Sequence, residues 1–215
     1  LKDVVAFPIE GACLGVLGLP EGCLGPVRTP GVLAVAADEA AVRRVAEPFE
    51  AAQVPLAVID VPELAQRNAA ALLEDENRGL VLLRIDADAV MLTLTWRGEL
   101  VAVRRREDGD FRAFVEGSLP ASEAMIERLV LELQRSLDNF DRQYSHVAIS
   151  RVVVAAPVLP EAMLAALAAS SFLPVERMNL SGVLDLGCVP ALSDPGEKAR
   201  HLLALGAALR DEGAA

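Results

Sequence analysis

The chain has 215 residues, of which 53% are hydrophobic and 24% charged; that excludes a disordered chain and leaves enough buried surface for a core without disulfide or metal staples. Its formal net charge of −11 argues against nucleic-acid binding and against attraction to an anionic membrane surface. Aromatic residues are only 4%, so the core is built from Ala, Val and Leu, and no uncharged apolar run is long enough to span a bilayer. Leu1-Lys2-Asp3 opens the chain without Met and without a signal-peptide pattern, which is expected of an edge cut from a longer chain. Cys13, Cys23 and Cys188 form no CxxC pair and have no nearby His; free thiols in a reducing compartment are the expectation.

The elements follow in order. Residues 31–36 (GVLAVA) form a short apolar run bounded by Pro30-Gly31 and Asp38, and read as a buried strand. Asp38 can cap the helix after it, whose stripe is Val42, Val45, Phe49 and Ala52, with Pro48 expected to kink or end it. Residues 54–59 (VPLAVI) read as a second buried strand, completing a parallel right-handed unit. Asp60-Val61-Pro62-Glu63 is a capping-box arrangement with Pro in the first turn, opening a helix through Leu64, Asn68, Ala71 and Leu72.

A second unit is expected to open with a strand at 80–83. A hairpin of 89–96 and 99–103 about Arg97-Gly98 continues the meander. Residues 107–120, with Gly109, Gly117 and Pro120, read as a loop. A helix from about 122 to 144 carries Ile126, Leu129, Val130, Leu133, Leu137, Phe140 and Tyr144 on one face. A strand at 151–155, a helix from Pro160 to about Ala169 and a strand at 172–177 follow. Asp194-Pro195-Gly196-Glu197 caps a last helix with Ala199, Leu202, Leu203, Gly206 and Leu209 as its stripe. Two α/β lobes result, 1–75 and 76–215.

Most enzyme signatures are absent: no P-loop, no G-x-G-x-x-G, no G-x-S-x-G elbow, and with His146 and His201 alone no H-E-x-x-H. Asp86 and Asp88 are the most suggestive acids. They lie on the turn between two strands, where they can hold Mg²⁺ through water or act as solvated turn formers. Arg104, Arg105 and Arg106 form a short basic cluster at a strand end, open to a salt-bridged or an anion-contact role.

The order of these elements resembles the later half of an actin-like (ribonuclease H-like) ATPase fold, in the branch containing PilM, FtsA and the cytoplasmic part of GspL. The stretches that carry the resemblance are 1–9 (LKDVVAFPI), Ala57-Val58-Ile59-Asp60-Val61-Pro62-Glu63-Leu64-Ala65 and Glu132-Leu133-Gln134-Arg135-Ser136-Leu137-Asp138, and it extends over most of the chain.

That resemblance implies an α/β fragment of two lobes lacking the first N-terminal segment and its phosphate loop. It places the second phosphate loop at Asp86-Ala87-Asp88, where the Gly that lets backbone N–H groups approach phosphate is gone. It places the adenosine loop at Ala155-Ala156-Pro157, where a Gly-Gly pair is replaced and Pro157 has no N–H. These positions read as degenerate, so neither catalytic residues nor a cofactor are expected. The resemblance implies a non-enzymatic cytoplasmic scaffold, peripheral to the inner membrane, in a type IV pilus or type II secretion assembly platform. Its partner would be the tail of a PilN-like inner-membrane protein, with the assembly ATPase as a second contact. The alternative is an actin-like ATPase or sugar-kinase-like enzyme using ATP and Mg²⁺; an unrelated α/β domain is a third reading. Phe7, Pro8 and Ile9 are the candidate partner-binding residues, or else they start the core of the first lobe.

Overall fold

The computed structural model describes residues 5–25 and 31–210; Leu1, Lys2 and Asp3 lie outside them. The chain divides into two compact units, Leu1–Leu19 with Thr29–Val61, and Pro20–Arg28 with Pro62–Ala215.

In the first unit β1 (Cys13–Gly18) pairs antiparallel with β2 (Val32–Ala37), in register from Cys13 opposite Ala37 to Gly18 opposite Val32. Helix α1 (Glu39–Ala51) starts at Asp38, whose carboxylate accepts the Ala40 N–H at 3.2 Å. Pro48 sits within its last turn, and Gln53 closes it with φ 55°. The strand expected at 54–59 is not formed: these residues join no ladder and are all exposed. The backbone explains this. The Val54 N–H is already spent on Phe49 O at 2.9 Å, and Pro55 has none to give, so the run enters with no donor for a ladder. The expected parallel strand–helix–strand unit is therefore replaced by an antiparallel pair followed by a helix and an extended segment.

The second unit holds a five-stranded sheet in the order β5-β4-β3-β6-β7. Strands β3 (Gly79–Ile85), β4 (Ala89–Trp96) and β5 (Glu99–Glu107) form the expected antiparallel meander. Arg97 and Gly98 both have positive φ, 57° and 74°, as a two-residue hairpin requires. Strands β6 (Ile149–Ala155) and β7 (Val175–Arg177) add in parallel beside β3. β3 and β4 are buried along their full length, which is why both read as near-continuous apolar runs.

Helix α2 (Pro62–Ala71) buries Ala65, Gln66, Ala69 and Ala70. Ala69 and Ala70 share a core cluster with Leu80, Leu82, Val153, Ala155 and Leu202. That burial, together with the almost fully buried Cys23, places α2 and residues 20–25 in the second unit, which resumes at Pro62. The segment expected to be a loop holds a 3-10 turn at Gly109–Phe111 and the short α3 (Arg112–Val115), which bury Phe111, Phe114 and Val115. Helix α4 (Glu123–Gln143), capped by Ser122, buries Leu129, Leu133, Leu137 and Phe140 of the expected stripe and also Met125, while Ile126, Val130 and Tyr144 are half-buried. After α5 (Glu161–Ala169), the last helix is two: α6 (Pro195–Arg200) and α7 (Leu202–Ala208) meet at His201, where φ −98° and ψ 11° leave the helical region.

One exposed ion pair gives a pH prediction. The Arg151 guanidinium hydrogen-bonds Asp75 and holds its carboxyl below the ordinary range. A lowered folded pKa stabilises above the unfolded value of about 3.9 and is lost as pH falls through the folded value. Asp75→Asn is expected to cost about 0.5 kcal/mol at neutral pH, since the carboxylate is half exposed. The difference should vanish in urea titrations below about pH 3.

Candidate functional site

Register places the two segments expected to face a nucleotide side by side. Arg84, two residues before Asp86, lies opposite Ala155 on neighbouring parallel strands, so Asp86-Ala87-Asp88 and Ala155-Ala156-Pro157 leave the same carboxyl edge of the sheet. Open α/β sheets bind ligands at such edges.

The turn is built on its own charges. Asp86 Oδ1 accepts the backbone N–H groups of Asp88 at 2.9 Å and Ala89 at 2.7 Å. Its Oδ2 accepts from Arg84 Nη1. Arg84 is buried, and Arg84 Nε donates to Gln66 Oε1 at 3.2 Å. Gln66, fully buried on α2, donates through Nε2 to Leu82 O at 2.9 Å and Thr93 Oγ1 at 3.1 Å. Burial pushes the Arg84 guanidinium below its ordinary pKa, and Asp86 opposes that shift. Asp88, exposed, accepts from Arg112 at the start of α3. Both carboxylates that could have met Mg²⁺ thus meet arginines of this chain. Among the described residues no cluster of three or more His, Cys, Asp and Glu side chains is arranged to hold a metal ion.

At the neighbouring strand end Ala155 and Ala156 are buried and Pro157 is half-buried. The Pro157 carbonyl lies against the start of α6: a Cβ on Gly196 would stand 2.4 Å from that oxygen. The segment where an adenosine loop would need open backbone is covered by its own helix.

Phe7, Pro8 and Ile9 lie in the first unit, where Ile9 O accepts the Ala12 N–H at 3.1 Å and opens a turn that follows Phe7 and Pro8. Phe7 and Ile9 are half-buried, while Pro8 is exposed and lines a groove of about 640 Å³ with Gly11, Asp38, Glu39 and Arg43. A second groove, about 510 Å³, runs between Ala46 and Glu50 of α1 and the extended segment 54–59. None of the described residues of this unit is buried. Val45 and Phe49 of α1, Leu14 and Val16 of β1, and Val54, Leu56, Val58 and Ile59 all present apolar surface. Reading the sequence for buried strands missed this surface; Pro55 was the signal against a paired strand.

The remaining candidates are structural. His201 Nδ1 lies 2.9 Å from Glu197 O on its own helix. His146 is exposed and abuts Gly25, where a Cβ would come within 2.6 Å of the ring. Arg104 and Arg106 face Glu132, and Arg105 faces Glu63, the salt-bridged role.

No protein-family model matches the chain, and neither does any curated protein. Among solved structures, a chain of the PilM–PilN type IV pilus biogenesis complex is similar over 97% of this chain and 69% of its own length, at 23% identity with a TM-score of 0.73. A Bacteroides thetaiotaomicron protein with an actin-like ATPase fold and unknown function matches at 11% identity, 90% and 63% coverage, and TM-score 0.46. An exopolyphosphatase from Cytophaga hutchinsonii matches at 12% identity, 58% of each chain, and TM-score 0.32. The fold assignment rests on the first: the chain has the α/β fold of the actin-like class.

Proposed function

We propose that this chain is a non-enzymatic component of a type IV pilus or type II secretion inner-membrane platform that holds the cytoplasmic tail of a PilN-like membrane protein. The observation that carries the reading is the likeness, along almost the whole chain, to a chain of a PilM–PilN complex. Within the PilM-like group, the MSHA pilus (agglutinin) biogenesis protein MshI is the particular relative we propose. The apolar surface of the first unit supports a peptide-holding role, since apolar faces of this extent on a soluble unit mark sites that another segment covers. A tail adding as a strand to the β1–β2 pair would use main-chain hydrogen bonds for affinity and Phe7, Pro8 and Ile9 for apolar contact. On this reading the protein works at the cytoplasmic face, peripheral to the inner membrane, with the assembly ATPase as a further contact. No helix among the described residues is long and apolar enough to cross a membrane.

The test is titration with a synthetic cytoplasmic tail of the PilN-like protein. Binding is expected, weakened about tenfold by Phe7→Ala or Ile9→Ala as each truncation removes apolar surface that the bound tail would cover. Undiminished binding by folded variants removes the triplet from the site, and no binding by the parent removes the reading. ATP with Mg²⁺ is expected to bind more weakly than about 1 mM, because the lost N–H contacts to phosphate are each worth about 1.5–3 kcal/mol. Micromolar binding in calorimetry would instead favour the ATPase or sugar-kinase-like alternative.

A further inference from the structure

Between β7 and α6 the chain makes a long irregular excursion, and its walls enclose an open pocket of about 720 Å³. Two serines line it, Ser181 and Ser193, and their hydroxyls meet different partners. Ser193 Oγ donates to Pro190 O at 2.5 Å and is held by backbone. Ser181 Oγ accepts from Lys198 Nζ and donates to none of the described residues. Lys198 itself does not line the pocket. It reaches Ser181 from α6, is 4% exposed, and among the described residues has Ser181 Oγ as the sole partner of its amine.

An exposed hydroxyl with a buried amine against it is a pairing that nucleophilic acyl transfer uses. A serine hydroxyl is a weak nucleophile until an adjacent base takes its proton, and lysine serves as that base on several unrelated folds. The amine has to be free to take the proton. Lys198 is well placed for this, because an ammonium buried without a carboxylate is costly. The arginines that are buried or half-buried around the sheet, Arg84 and Arg151, each meet a carboxylate. The Gly182 N–H, next in the chain after Ser181 and also on the pocket wall, bonds to none of the described residues. A backbone N–H directly after the nucleophile can hold the oxygen of a tetrahedral intermediate.

We infer that Ser181 is a site of covalent acylation, with Lys198 as its base and a neutral thioester of an apolar acyl chain as the donor. Ser181 Oγ attacks the thioester carbonyl carbon as its proton passes to Lys198 Nζ. The C–S bond then breaks, and the sulfur leaves with that proton as a thiol. One oxygen ester forms, one thioester is consumed, and no oxidant or further reactant enters. Oxygen esters are less reactive than thioesters, so the adduct accumulates. Val183, Leu184, Leu186 and Leu192 give the acyl chain an apolar wall. Asp185 is the one charged side chain on that wall, which disfavours an anionic donor. A single transfer onto the chain itself is a modification without turnover, and it leaves the non-enzymatic reading intact. The site lies entirely within the second unit and does not depend on the peptide-holding reading.

The experiment exposes the whole chain to S-octanoyl-N-acetylcysteamine, a neutral thioester, and follows intact mass and then peptide fragmentation. The acetyl thioester of the same thiol is the comparison probe. One octanoyl group is expected, on Ser181, formed at least tenfold faster than the acetyl adduct and at least tenfold faster than any adduct on Ser193. Ser181→Ala should lose the adduct. Lys198→Met should slow it tenfold or more while the thioester concentration giving half the maximal rate stays within about twofold, which separates a base from a residue that only shapes the pocket. No adduct, an adduct on Lys198 in place of Ser181, or equal labelling of Ser181 and Ser193 overturns the proposal. An acetyl adduct formed as fast as the octanoyl one overturns it too, because the pocket wall then has no part in the transfer. Should Lys198→Met fail to fold, the ratio of Ser181 to Ser193 labelling in the parent decides, since both serines share the pocket and only Ser181 meets an amine.

Discussion

Gly206→Val is expected to lower the unfolding free energy by about 3 kcal/mol, the upper end of the range for overpacking a close contact. Helices α2 and α7 approach so closely that an ideal Cβ on Gly206 would lie 1.8 Å from the Ala65 carbonyl oxygen and 2.5 Å from its carbon. The obstacle is backbone, so no side-chain rotamer relieves it. Asn68 Nδ2 pins the pair from the α2 side by donating to Gly206 O at 2.9 Å. To admit even one methyl the helices must part, and the cluster of Ala69, Ala70 and Leu202 loses contact. Urea titration gives the test: a midpoint shift under about 0.5 kcal/mol in equivalent free energy would show that α7 docks loosely. Gly206→Ala should cost nearly as much, although alanine is the better helix former by about 1 kcal/mol. The close approach outweighs propensity.

The parts of the fold visible in the sequence are those where one physical signal acts alone. The meander was legible because β3 and β4 are buried on both faces and because Arg97-Gly98 suits a two-residue turn. Helix α4 was legible from its stripe. Strand β1 was not: Gly15 and Gly18 interrupt its apolar alternation, and all but one of its residues are exposed, so no buried face announced it. Residues 54–59 show the converse. An apolar run reports that a segment can be buried and says nothing of whether a partner is present.

The candidate site divides the same way. The acids at 86 and 88 were visible because a turn between apolar strands stands out. Their partners were not visible, because Arg112 is 24 residues away from Asp88 and comes back through a 3-10 turn that composition alone made a loop. Arg84 did leave a signal, a charge inside the apolar run Leu80–Ile85, which only a buried ion pair tolerates well.

Asp86→Ala is expected to cost about 2–3 kcal/mol at neutral pH, somewhat below the loss for breaking a fully buried pair because the carboxylate is 30% exposed. Two effects add. The Asp88 and Ala89 N–H groups lose the acceptor that shapes the turn, and the buried Arg84 guanidinium loses its counter-ion. The second effect can be isolated with Arg84→Met. Removing the guanidinium and the carboxylate together leaves no uncompensated charge, so the double variant should be at least 1 kcal/mol more stable than the sum of the single losses implies. Gln66 makes this coupling sharper, because its Oε1 holds Arg84 Nε at 3.2 Å and keeps the guanidinium from turning to solvent when Asp86 is gone. A carboxylate retained for Mg²⁺ would behave differently. Its loss would relieve repulsion in the metal-free protein, and millimolar Mg²⁺ with ATP would stabilise the parent while leaving Asp86→Ala unmoved. On the reading that Arg84 stands where a cation would, the parent's melting midpoint should not respond to Mg²⁺ and ATP. An Asp86→Ala loss below about 0.5 kcal/mol, or strict additivity in the double variant, would remove the ion pair as the reason this turn keeps its acid.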